Sequence, residues 1–247
     1  MRVLLRVVLG LVVLAAAFLL LAPAALVDGP IMAGTGNHLR LVDTSGVWWR
    51  GRGAVATLDG AVRVPVAWRV AFAPLLTGAL VVTLVRHDAA MPSGTVTVRH
   101  EALDVRDLQV AAPAALVSAL VPALTNVALG GELDLRAPSF TWRNNGGSGT
   151  MDATWQHARI VAGAPIDLGR VLADAKPVAD GLAASVRNAG GDLAIDGSVA
   201  LHGNVVSASF KLTPAAGASQ AVRAMLPLLG AADSTGAVTL AWRSDRR

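Results

Sequence analysis

Residues 61–72 read AVRVPVAWRVAF. Val62, Val64, Val66, Trp68, Val70 and Phe72 occupy every second position, with Arg63, Pro65, Ala67, Arg69 and Ala71 between them. Successive side chains of an extended chain point to opposite faces, so alternation of this length predicts a half-buried strand. Pro65 has no N–H to offer a neighbouring strand and predicts an edge position or a bulge.

The same period of two recurs from Gly46 onward. Val96 and Val98 alternate with threonines, Leu133 and Leu135 with Glu132, Asp134 and Arg136, and Phe140 and Trp142 with Thr141 and Arg143. Further on, Met151, Ala153 and Trp155, then Leu193, Ile195, Val199 and Leu201, then Val206, Ala208, Phe210 and Leu212, and finally Val238, Leu240 and Trp242 continue it. Stretches rich in Gly, Asn, Ser and Pro separate these runs. The pattern predicts a mainly β chain of antiparallel strands with one apolar and one polar face. Residues 80–85 are almost continuously apolar, which predicts a strand covered on both sides.

Three stretches read as helices. Residues 112–124 are apolar nearly all round, and Pro122 kinks or ends them. Residues 165–175 open on Pro165, a favoured first-turn residue. Residues 219–229 open on Ser219, a good cap. Helices so apolar are expected to be buried against the sheet. Residues 119–135 and 224–240 also echo each other without a gap, pairing Pro122 with Pro227 and Gly131 with Gly236, as one helix–turn–strand unit used twice.

At the start of the chain, Arg2 and Arg6 precede an uncharged run over residues 7–27. That run meets the roughly 20 apolar residues a spanning helix needs, and the arginines ahead of it orient the N-terminus to the cytoplasm. Ala22-Pro23-Ala24 also offers a signal-peptidase pattern, but the run is long for a cleaved signal and favours a retained anchor. The expected organisation is a cytoplasmic tip and transmembrane anchor over 1–27, a linker over 28–45 and an exported β-rich domain over 46–247.

Chemistry is sparse. The chain has no cysteine, which excludes disulfides and thiol catalysis. His38, His87, His100, His157 and His202 form no metal-binding spacing. There is no G-x-S-x-G elbow, and the NNGGSG of residues 144–149 lacks the Lys-Ser/Thr of a phosphate loop and reads as a hairpin turn. No catalytic residue, metal or cofactor is therefore expected. The net charge of +4 is spread thin. Trp68, Trp142, Trp155 and Trp242 lie on the apolar phase of their strands, and Arg69, Arg143 and Arg243 fall on the face opposite the tryptophans they follow. Both points argue against a nucleic-acid surface. In DTSGVWWRGRGAV, residues 43–55, strand alternation puts Trp49 with Gly51 and Gly53 on the packed face. It puts Trp48 with Arg50 and Arg52 on the outer face, as candidate interaction residues.

That stretch carries a resemblance. Gly46, Trp49, Gly51 and Gly53-Ala54 resemble the Gly-x-x-Trp-x-Gly-x-Ala signature of the type II secretion system protein N family of Gram-negative bacteria, with Gly53 one place off. The arginine-flanked apolar start, AWRV at 67–70, GGELDLRA at 130–137 and GAVTLAWR at 236–243 extend it in order over nearly the whole chain. The resemblance implies a single-pass inner-membrane subunit with a periplasmic β-rich domain, without catalysis or cofactor, that contacts other secretion-system envelope subunits. The fold expected is a curved antiparallel sheet with two or three short apolar helices on its concave face. An alternative reading is an AsmA-like envelope protein whose one-sided apolar sheet binds or conducts lipid. Whether helices fill that face discriminates the two, and the apolarity of residues 112–124 and 219–229 predicts that they do.

Overall fold

A computed structural model describes residues 21–88, 91–120, 127–143, 146–162, 164–179, 181–203 and 205–245. Among the described residues thirteen strands form one sheet, ordered in space as they are in the chain, and every neighbouring pair is antiparallel. The strands are β1 (Leu39–Val47), β2 (Arg50–Thr57), β3 (Arg63–Ala71), β4 (Leu80–Leu84), β5 (Ser93–Arg99), β6 (Ala102–Pro113), β7 (Ala128–Arg143), β8 (Gly146–Ala162), β9 (Ala164–Val178), β10 (Gly181–Ala189), β11 (Leu193–His202), β12 (Val205–Pro214) and β13 (Val238–Asp245). A 3-10 turn (Ala24–Val27) and α1 (Asp28–Gly34) precede them. The other helices are α2 (Phe72–Leu75), α3 (Ala115–Leu120) and α4 (Gln220–Leu229).

Register puts the alternating apolar residues on one face. Val55 pairs with Val64, Trp68 with Leu84 and Val70 with Val82. Val186 pairs with Gly197, Gly197 with Phe210, and Phe210 with Leu240. Pro65 lies in the half of β3 that the β3–β4 pairing, Trp68 to Ala71, does not reach, so its missing N–H costs no ladder bond to β4. Bulges interrupt β6, β7, β8 and β9 and shift the alternation by one residue at each site. Gly131 shows why glycine stands at one of them: its φ is +99°, and a Cβ there would lie 2.3 Å from the Gln156 carbonyl oxygen.

The main core lies where α4 packs on the apolar face. Val222 and Leu226 meet Ala158, Leu168, Leu193 and Val238, and Leu226 and Val238 are almost fully buried. Ser219 caps α4 as its sequence predicts, its Oγ accepting from the Val222 N–H at 3.3 Å. A second core joins Val105, Ala137 and Phe140 across β6 and β7.

Several expectations are corrected. Residues 165–175 are not a helix: they belong to β9, with Ile166 and Leu168 buried on the apolar face. Ala112 and Pro113 end β6, so the helix expected over 112–124 is α3 in its described part, and residues 121–126 lie outside the described residues. β4 is not covered on both sides, for Leu80 is exposed and the rest of the strand is half-buried. The first strand begins at Leu39, so the stretch read as a linker holds α1 and most of β1. In the repeated unit, Gly131 and Gly236 both have positive φ, +99° and +77°. Most of the apolar run lies in residues 1–20, outside the described residues; among the described residues no helix is long and apolar enough to cross a membrane.

Candidate functional site

The N-terminal segment and the first four strands enclose the most distinctive space in the molecule. Ala22 accepts a hydrogen bond from the Trp48 N–H at 3.0 Å, and Pro23 bridges Val47, so the segment runs beside the edge strand β1. Asp28 then ties α1 to β1 by accepting the Leu41 N–H at 2.5 Å. These bonds occupy edge groups that would otherwise be open to a foreign strand. They also hold Val27 and Ile31 over the apolar face, opposite Leu41, Trp68 and Val70.

Gly51 permits the closest approach. A Cβ there would lie 2.6 Å from Cζ2 of Trp68 and 3.0 Å from the Ala24 Cβ. Only a bare backbone lets the indole and the N-terminal segment reach β2 together. The Trp68 indole N–H donates to the Trp48 carbonyl at 2.8 Å, so no polar atom of that ring is left toward the interior.

Between the segment and the strands lies a cavity of about 630 Å³. Its wall includes Leu26 and Ile31 from the segment, Val55, Val66 and Trp68 from β2 and β3, and Val82 from β4. All of its side chains are aliphatic, prolyl or indole. Leu26 and Leu80 belong to the wall and are also exposed, which places them at its opening.

The structure changes the reading of the two tryptophans. Trp48 and Trp49 are not consecutive strand residues but the turn between β1 and β2, so strand alternation does not separate them. Both are half-buried and both meet Phe72, Trp48 edge-on at 5.7 Å and Trp49 tilted at 5.3 Å. Trp48 lines the cavity instead of joining the arginines. Arg50 and Arg52 do face outward, as predicted. Arg52 Nε donates to Ser45 Oγ at 2.9 Å, and Arg50 stands directly across from Arg69. With His87 they line a polar recess of about 400 Å³ on the outer face. Sequence reasoning missed the cavity; the nearest signal was the apolar Val27 at the end of the stretch taken as an anchor, with Pro30 and Ile31 inside the stretch taken as a linker.

The titratable groups are structural. Thr57 Oγ1 and the Ala61 N–H both donate to Asp59 and hold its carboxyl below the usual range. Asp104 is lowered first by Thr141, its partner across the β6–β7 ladder, and then by Arg99. Asp233 is held well below the usual range by the hydroxyl and N–H of Thr235 and by the Ala237 N–H, in the turn before β13. Among the described residues no three His, Asp or Glu side chains gather as a metal site would require.

The described residues thus form a single antiparallel meander with one apolar face and a hydrocarbon-lined cavity. The family model of type II secretion system (T2SS), protein N, matches residues 37–241, from just before β1 into β13. The chain belongs to the type II secretion system protein N family. No curated protein and no solved structure matches it.

Proposed function

We propose that the protein is a non-catalytic subunit of the type II secretion system. The apolar run ahead of Ala22 anchors it in the inner membrane with the N-terminus in the cytoplasm, residues 22–27 fold onto the sheet, and the sheet stands in the periplasm, curved about its apolar face. There it contacts other envelope subunits of the machine during export of folded proteins across the outer membrane. The observation that carries this reading is the family match from just before β1 into β13, preceded in the sequence by a long apolar run. Trp48, Arg50 and Arg52 are the proposed contact residues. Two arginines directly opposite each other, Arg50 and Arg69, repel across the ladder, and an acidic partner surface would relieve that.

Two measurements test this. Deleting the gene should trap secreted substrates in the periplasm, and the intact chain should restore export; unchanged secretion refutes the subunit role. Because the chain has no cysteine, Ser198→Cys on the exposed face of β11 gives a single label site. A membrane-impermeant maleimide should label it in cells with only the outer membrane opened. Labelling that requires lysis of the inner membrane refutes the orientation.

One observation favours the second, lipid-binding reading: the apolar face is not filled at the β1–β4 end, where the cavity lies.

A further inference from the structure

We propose that this cavity is a binding site for a single hydrocarbon chain, the acyl tail of a membrane lipid. The proposal deepens the lipid-binding reading, and its setting rests on the membrane anchoring proposed above.

The wall decides the chemistry. A water molecule needs two to four polar partners to be held in a protein, and an apolar cavity without them stays dry. Every wall side chain is aliphatic, prolyl or indole, and the Trp68 indole nitrogen is already bonded to the Trp48 carbonyl. A peptide backbone in the cavity would leave its N–H and C=O groups unpaired, at a cost of several hydrogen bonds. An amphipathic helix is also too wide. At roughly 10 Å across and 5.4 Å per turn, a helix would exhaust 630 Å³ within about one and a half turns. A hydrocarbon chain has neither problem. The volume falls within the roughly 300–1,000 Å³ of small-molecule sites.

The position points to the source. The opening carries Leu26, 54% exposed, and Leu80, 39% exposed. Leu21, Leu75 and Leu76 are also exposed, and Leu76 is the most exposed large apolar residue described, at 90%. Leu26 is the next to last residue of the apolar run over 7–27, so the opening stands where that run ends. Trp48 and Trp49 lie at the same end, packed on Phe72. Indoles beside exposed leucines are what a bilayer interface selects. An acyl tail could pass from the outer leaflet into the cavity without crossing water.

The test uses the full chain held in amphipol and titrated with dibrominated stearic acid, whose bromines quench tryptophan fluorescence on contact. Trp48 and Trp68 on the wall are the reporters. A Trp242→Phe background removes the exposed indole of β13. Saturable quenching at one ligand per chain is expected. Leu26→Asp and Leu80→Glu, both at exposed positions, should weaken it tenfold or more. Leu228→Asp, on α4 and 84% exposed, should leave it unchanged. Quenching that never saturates, or that is equal in all three variants, overturns the proposal. So does quenching that appears only after residues 1–20 are removed, because the occupant would then be this chain's own N-terminal run. Flotation with phospholipid vesicles reads the anchoring separately. A chain that binds stearate and does not float loses the membrane reading and keeps the cavity.

Discussion

Truncating Leu226 to Ala tests whether α4 seals the apolar face at the β8–β13 end. Leu226 is 1% exposed and sits among Ala158, Leu168, Leu193 and Val238. The substitution removes the equivalent of about three methylenes, at ~0.8 kcal/mol each, or roughly 2.4 kcal/mol of transfer free energy. The hole adds to this, since α4 is held at its start by the Ser219 cap and cannot simply settle inward. A total of about 3–4 kcal/mol is expected, within the roughly 2–5 kcal/mol range of buried Leu→Ala changes. For a domain of this size that lowers Tm by about 6–16 °C. Leu228→Ala is the control: two residues along the same helix, 84% exposed, it should change stability by less than about 0.5 kcal/mol. Thermal and urea unfolding followed by circular dichroism read both. If the two variants unfold together, α4 does not pack on the sheet and the argument for a sealed end fails.

Gly51→Ala puts a methyl 2.6 Å from the Trp68 ring and should cost about 1–3 kcal/mol. Adding Trp68→Phe should return part of that, and additive costs in the double-mutant cycle would show that the two residues do not touch. Asn188 closes the β9–β10–β11 corner: its amide donates to the Leu168 and Leu193 carbonyls at 2.8 and 2.6 Å and accepts the Ile195 N–H at 2.6 Å. Asn188→Ala should lower the urea midpoint by an amount worth about 2–4 kcal/mol, and a change below about 0.5 kcal/mol would count against those bonds. Asp233 is depressed in the folded state by Thr235 and Ala237, so its contribution is present above the usual carboxylate range and is lost as pH falls through the folded value. The wild type should therefore melt above Asp233→Asn at about pH 7, with the gap shrinking below about pH 4; a gap that widens in acid reverses the sign and refutes the linkage.

The strands were legible because period two survives wherever the ladder is regular. Residues 62–70, 193–201 and 206–212 face as their alternation says, whereas Phe72 leaves the strand to open α2 and is exposed. It failed where a bulge intervenes. In β9 a register shift opposite Ala158 falls near Gly169, whose φ is +68°. The inward residues become Ile166, Leu168, Val171 and Ala173, spaced two, three and two, and such a broken alternation imitates a helical stripe beginning at a helix-favouring proline. β1 was missed for a related reason. Only Leu39 and Leu41 are apolar and buried there, before Asp43 adopts φ of +53° and the register slips between Val42 and Ser45. The turn at Trp48 and Trp49 was invisible because neither residue is a turn former; its closure depends on Phe72, more than twenty residues away in sequence, packing on both rings.

The cavity was illegible for a deeper reason, and it bears on function. Periodicity reports which side chains share a face, and Val66 and Trp68 were placeable on one. It does not report how closely the covering element sits upon them. At the β8–β13 end the cover is a ten-residue helix, and the face beneath it holds residues buried to 0–4%: Ala158, Leu168, Leu193 and Val238. At the β1–β4 end the cover is a 3-10 turn of four residues and a helix of seven, and Asp28 and Pro23 tie both to the strand edge. A cover fastened at the edge spans less of the face, and the side chains it cannot reach line open space. The question of whether the face is filled thus has two answers on one sheet. The unfilled end is the one nearest the apolar run, which is where a hydrocarbon guest would arrive if that run lies in the membrane.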